Sequence, residues 1–138
     1  MQNHVEIMCR QHDELRALGA AYERELGKPA PDLAALAKCR WTLARLVSAH
    51  LAYEGAHLYP ALERAGGRAS DLGRTMSAEM ATLGAELGDH VRKWTSDSIT
   101  TDWGHFTRTS KTLIDALKAR MDREEREVYP VLSIAKAA

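Results

Sequence analysis

Apolar positions recur at alternating steps of three and four along four stretches of the chain. In residues 3–27 the series is Val5, Met8, His12, Leu15, Gly19, Tyr22 and Leu26, which lies on one stripe of an amphipathic helix. Gly27 and Pro29-Ala-Pro31-Asp32 stop that helix and start another. The second runs from about Asp32 to Ala65 through Leu33, Leu36, Leu43, Leu46/Val47, His50, Glu54, Leu58 and Leu62. Pro60 falls inside it and predicts a bend, and Gly66-Gly67 marks its end. The third begins near Ser70-Asp71, good cap residues, and carries Leu72, Met76, Met80, Leu83, Leu87 and Val91 as far as Trp94. Residues 95–102, rich in Ser, Thr and Asp, form a connection. The fourth starts near Asp102 and carries Phe106, Leu113, Leu117, Arg120, Glu124, Val128 and Val131.

Four amphipathic helices joined by short connections predict an all-α fold, an antiparallel up-down-up-down four-helix bundle forming one domain over residues 1–138. No segment serves as the long crossover of a ferritin-like bundle. No strand pattern and no Gly-rich phosphate loop is present.

The stripes carry polar residues where apolar ones belong, and these fall at one height. A helix rises about 1.5 Å per residue. His12 stands about nine residues after the first helix begins, roughly 14 Å along it. Glu54 stands about eleven residues before the second ends, Met80 about ten after the third begins, and Glu124 about ten before the chain ends, counted on the same helix geometry. In an up-down-up-down bundle those four ends lie together. His12, Glu54, Met80 and Glu124 therefore share a layer, with His50 and Arg120 one turn deeper and Met76 one turn shallower. Imidazoles and carboxylates converging inside a helix bundle are the usual parts of a metal site.

Composition narrows the classes. The chain is long enough to bury a sizeable core. Lys+Arg and Asp+Glu number 19 each, so nothing suggests a nucleic-acid surface or an anionic membrane. The N-terminus, Met1-Gln-Asn-His-Val-Glu, has no long apolar run and does not read as a signal peptide. No stretch approaches a membrane span. Cys9 and Cys39 fall near opposite ends of the bundle and read as buried thiols in a reducing compartment. The expected location is cytoplasmic.

The chain also contains an echo. His50-Leu-Ala-Tyr-Glu54 with Leu58-Tyr-Pro60 is answered by Arg120-Met-Asp-Arg-Glu124 with Val128-Tyr-Pro130. Together with His12-Asp-Glu-Leu15, this pattern resembles the hemerythrin HHE cation-binding domain over essentially the whole chain. The resemblance implies an antiparallel four-helix bundle that holds two irons bridged by two carboxylates and binds dioxygen, or senses oxygen, nitric oxide or redox state. One iron position of the family corresponds here to His12, His50, Glu54 and Glu124. The other corresponds to Met76, Met80 and Arg120, none an ordinary iron ligand, because a thioether is soft and a guanidinium is a cation.

Two outcomes follow. In one, a single divalent metal, iron or else zinc or manganese, binds through His12, His50, Glu54 and Glu124. In the other, Arg120 takes the place of the second metal, pairs with Glu54, Glu124 or both, and no metal binds. Against these stand plainer readings. Met76 and Met80 serve as core filler, and Glu125 and Arg126 as a solvated face. His57 is expected to support a ligand, in contact with Glu127, while His4, His90 and His105 are expected at the surface or rim. Trp41, Trp94 and Trp103 fit either bundle packing or a docking face.

Three functions compete. The first is a hemerythrin-like sensor with at most one metal. The second is a metal-free bundle acting through a protein partner or homodimer in signalling. The third is an iron-dependent oxidase or peroxidase, ranked last because no substrate-pocket signature or separate acid–base pair appears.

Overall fold

The computed structural model describes residues 3–132; the reading of Met1 and Gln2 lies outside them. Six helices follow in order: α1 (His4–Leu26), α2 (Leu33–His57), α3 (Tyr59–Ala65), α4 (Gly67–Lys93), α5 (Ser96–Thr101) and α6 (Trp103–Arg123). A π-helical turn, Glu124–Val128, extends α6. No strand occurs among the described residues.

Side-chain caps set the helix starts. Asn3 accepts from the backbone N–H of Val5 and Glu6, Asp32 from Ala35, and Asp102 from His105. The four long helices pack in a ring: α1 on α2, α2 on α4, α4 on α6, and α6 back on α1. Paired contacts run in opposite chain directions. His4 meets Tyr53 and His12 meets His50, while Arg40 meets His90 and Arg120 meets Met76.

Three boundaries differ from the expectation. The long second helix divides at Leu58, because Pro60 has no N–H to return to Ala56. Hydrogen bonds from Leu58 N–H to Glu54 O (2.8 Å) and from Leu62 N–H to Leu58 O (3.0 Å) carry the chain across. Gly66 and Gly67 turn it at φ of 71° and 54°, values that favour glycine, and α4 starts at Gly67, ahead of Ser70. The connection at 95–102 is itself partly helical. A reciprocal cap between Thr95 and Ser98, 3.2 Å and 2.8 Å, nucleates α5.

The interior is two apolar clusters with a polar layer between them. Leu15, Val47, Met80 and Met121 belong to the larger cluster, whereas Met8, Leu58, Met76 and Val128 belong to the smaller. On each long helix the chain passes from one cluster to the other at the predicted level: around His12 on α1, around His50 and Glu54 on α2, between Met76 and Met80 on α4, and at Glu124 after α6. Cys9 and Cys39 are unpaired with each other and only half-buried, a correction to the expectation of fully buried thiols.

Candidate metal centre

His12, His50, Glu54 and Glu124 are all buried, at 0%, 1%, 0% and 0% exposure. Their ligand atoms converge. His12 Nε2 lies 3.1 Å from His50 Nε2 and 3.1 Å from Glu124 Oε1. His50 Nε2 lies 3.7 Å from Glu124 Oε1 and 3.3 Å from Glu54 Oε1. The ligand atoms of His12, His50 and Glu124 all lie within 4.8 Å of one another; Glu54 borders that trio through His50.

The far side of each imidazole fixes which nitrogen faces inward. His12 Nδ1–H donates to the Glu125 carboxylate at 2.6 Å, and Glu125 is held by Arg16 at 2.6 Å. His50 Nδ1–H donates to Gln11 Oε1 at 2.7 Å. With both Nδ1–H groups committed outward, each ring turns its Nε2 toward the other and toward the carboxylates. Two of those carboxylate oxygens, Glu54 Oε1 and Glu124 Oε2, have no hydrogen-bond partner among the described residues. Acceptors left facing one another in a buried layer are costly.

A proton shared between Glu54 and Glu124, or a cation bound between them, removes that cost. Around an ion with bonds of about 2.1 Å, neighbouring ligand atoms stand about 3.0 Å apart at right angles and about 3.4 Å apart at tetrahedral angles. The separations of 3.1, 3.1 and 3.3 Å fall in that range, and the fourth, 3.7 Å between His50 Nε2 and Glu124 Oε1, lies just above it. Two imidazoles with carboxylates suit iron, zinc or manganese.

The two glutamates are driven apart electrostatically. Burial, then the adjoining Glu124, pushes the Glu54 carboxyl far above the usual range. For Glu124 the upward push of burial is outweighed by hydrogen bonds with His12, His50 and Glu54, and its carboxyl is held low. Glu124 is thus the ionised member of the pair, and Glu54 retains a proton that a cation would displace.

A further side chain reaches the layer. Tyr129, 2% exposed, stacks its ring on His12 with centroids 5.6 Å apart. Its hydroxyl donates to His12 Nε2 at 3.1 Å and stands 3.5 Å from Glu54 Oε2. The π turn accounts for its place. Tyr129 N–H bonds Glu124 O, so residues five apart stack and Tyr129 falls over Glu124. In an uninterrupted α-helix that position would go to Val128. Burial, then the charges of Glu124 and Glu54, pushes the Tyr129 hydroxyl strongly toward its protonated form.

The second half of the layer is built otherwise. Met76 and Met80 are buried, at 0% and 1% exposure. Arg120 does not pair with Glu54 or Glu124, as the sequence had suggested. Its guanidinium forms an ion pair with Glu79 at the edge of the bundle, and Nη1 lies 3.1 Å from Met76 Sδ. A half-exposed carboxylate on the facing helix captures it more cheaply than a buried pair would. Its charge still reaches the layer, where it draws the Glu54 carboxyl downward against the larger effect of burial.

Other histidines depart from expectation. His57 stacks on His4, centroids 4.3 Å apart, and tilts against Tyr53, while Glu127 pairs with Arg123 at 2.9 Å. His57 therefore has no link to Glu127. His90 is buried rather than at the rim. It faces Thr109 and Ser110 at 3.2 and 3.3 Å, and burial, then Arg40 and Lys93, pushes its pKa down to about 4. Sequence reasoning also missed Gln11, Glu125 and Tyr129. The repeated Tyr-Pro was a visible signal for Tyr129, whereas Glu125 had none.

An all-helical ring around buried imidazoles and carboxylates defines a helical-bundle cation-binding protein. The sequence model of the hemerythrin HHE cation binding domain matches residues 3–132, and the chain belongs to that family. No curated protein and no solved structure matches it. Among the described residues no helix is long and apolar enough to cross a membrane.

Proposed function

We propose that this hemerythrin-like domain holds a single divalent cation at His12, His50, Glu124 and Glu54, and reports oxygen, nitric oxide or redox state as a sensor. The observation that carries the reading is the convergence of two imidazole Nε2 atoms with carboxylate oxygens, both outer nitrogens being already committed to Glu125 and Gln11. Such a cation supplies Lewis acidity, and iron in addition a centre whose oxidation state follows its surroundings. The protein's part is to aim the imidazoles, exclude water, and keep Met76, Met80 and Arg120 where a second ion would need ligands. Two-iron dioxygen carriage of the family's kind calls for a second iron, which favours a signalling role here.

Elemental analysis of protein expressed in iron-supplemented and in zinc-supplemented medium tests the reading. One equivalent in either medium, lost in His50→Ala, supports it. Two equivalents refute the single-cation claim, and none in either refutes cation binding.

A second reading has one observation in its favour. Trp41 is 66% exposed on α2, which suits a partner surface on a cation-free bundle. Thermal stability indifferent to chelator, with a dimer or partner lost on Trp41→Ser, would favour that reading.

A further inference from the structure

We infer that Gln11 is a positioning residue that sets the redox balance of the centre: as an uncharged partner behind His50, it leaves a bound iron biased toward the ferrous form. The inference rests on the one-cation reading and deepens it.

Two pairs of consecutive residues build the layer. In Gln11-His12 on α1 and in Glu124-Glu125 after α6, the second and first members respectively face inward. The other member of each pair serves an imidazole of a neighbouring helix. Glu125 receives His12 Nδ1–H at 2.6 Å, and Gln11 Oε1 receives His50 Nδ1–H at 2.7 Å. The two supports match in role and differ in charge.

That difference bears on the metal. A carboxylate hydrogen-bonded to the outer nitrogen makes an imidazole more basic and adds negative potential near the ion. Both effects favour the higher oxidation state. Glu125 acts this way on His12, offset in part by Arg16 at 2.6 Å. Gln11 orients His50 as firmly without adding charge. Glu54, Glu124 and Glu125 already supply three carboxyl groups, and a fourth behind His50 would move the one-electron ferrous–ferric couple further toward ferric. A sensor of oxygen or redox state works from the form that still has an electron to pass to the oxidant.

Gln11 is half-buried and lines, with Arg10, Glu14 and Leu46, a groove of about 320 Å³ between α1 and α2. A carboxylate placed there meets water and stays ionised. Gln11→Glu therefore changes charge at nearly constant shape, whereas Gln11→Met removes the acceptor.

Wild type and both variants are compared cation-free by proton NMR, then loaded with iron(II) and followed by mediated potentiometry. The His50 Nδ1–H resonance should lie far downfield in wild type and Gln11→Glu and be lost to exchange in Gln11→Met. Iron-loaded Gln11→Glu should favour the ferric form about tenfold more than wild type, a midpoint lower by about 59 mV for one electron. Gln11→Met should bind iron(II) at least about tenfold more weakly. A midpoint unchanged or raised in Gln11→Glu overturns the inference and leaves the one-cation reading standing. So does a His50 N–H resonance indifferent to Gln11→Met. A wild type that takes up zinc but no iron overturns the inference alone, and one that takes up neither overturns both. Matching thermal melts of the three cation-free proteins assign the differences to the site and not to the fold.

Discussion

Glu125 is the most direct handle on the proposed cation site, because it touches no ligand atom and yet fixes one. Its carboxylate receives His12 Nδ1–H at 2.6 Å and is itself held by Arg16. Glu125→Gln keeps an acceptor for that N–H but removes the charge that makes the imidazole a better donor to a cation. Loss of such an outer partner typically costs about 10- to 100-fold in metal affinity, or about 1.4–2.8 kcal/mol. The cation-free fold should change much less. The Glu125 side chain is 33% exposed, so its ion pair with Arg16 contributes about 0–1 kcal/mol after screening, and the glutamine still accepts the hydrogen bond. Two measurements on one variant therefore part company. Zinc affinity, read by competition with a chromophoric chelator, should fall by at least tenfold. Urea unfolding in excess chelator should move by about 1 kcal/mol or less. Zinc affinities within twofold of each other would refute the reasoning. So would a loss of cation-free stability as large as the loss of binding, because Glu125 would then be supporting the fold and not the site.

Three other outcomes are expected. His90 is held neutral in the fold, with its pKa lowered to about 4 from 6.5. The unfolded chain takes up that proton first, so stability is complete above pH 6.5 and falls as pH drops toward 4. Between pH 7 and pH 5 the loss is about 2 kcal/mol, read from urea-unfolding free energies of wild type and His90→Gln at the two pH values; parallel pH profiles would contradict it. Arg40 donates to the carbonyls of Trp94, His90 and Val91 at 3.2, 2.9 and 3.2 Å, closing the end of α4, and Arg40→Met should lower stability by about 2–4 kcal/mol in chemical denaturation. Arg120→Leu should bind zinc more tightly, since a positive charge that reaches Glu54 is removed while the exposed pair with Glu79 contributes little; weaker binding would show that Arg120 positions the ligands instead.

How far the sequence alone could reach follows from which interactions are periodic. Burial stripes are, so the four long helices and the level of the polar layer could be read from spacing: His12 among Met8 and Leu15, His50 and Glu54 between Val47 and Leu58. Charged side chains are long, and their direction is not periodic. Arg120 lies on the predicted stripe, yet its guanidinium travels to Glu79 because a solvated carboxylate asks for less desolvation than Glu54 or Glu124 would. His90 was missed for a related reason. Its partners, Thr109, Ser110 and the carbonyl-capping Arg40, come from two other helices and leave no mark at neighbouring positions.

Glu125 and Tyr129 were hidden by a single local event. Counting at 3.6 residues per turn sends Glu125 toward solvent and puts Val128 over Glu124. The π turn at Glu124–Val128 changes the count to five. Both Val128 and Tyr129 then fit inside, at 0% and 2% exposure, and Glu125 reaches His12 across α1. A helix gives up regular hydrogen bonding only where something else compensates. Here the compensation is a carboxylate behind one imidazole and a hydroxyl in front of it. Both are delivered by a segment whose sequence, Glu124-Glu-Arg-Glu127, looks like an ordinary charged helix face. The irregular turn, more than the stripe that leads into it, is therefore what completes the candidate site.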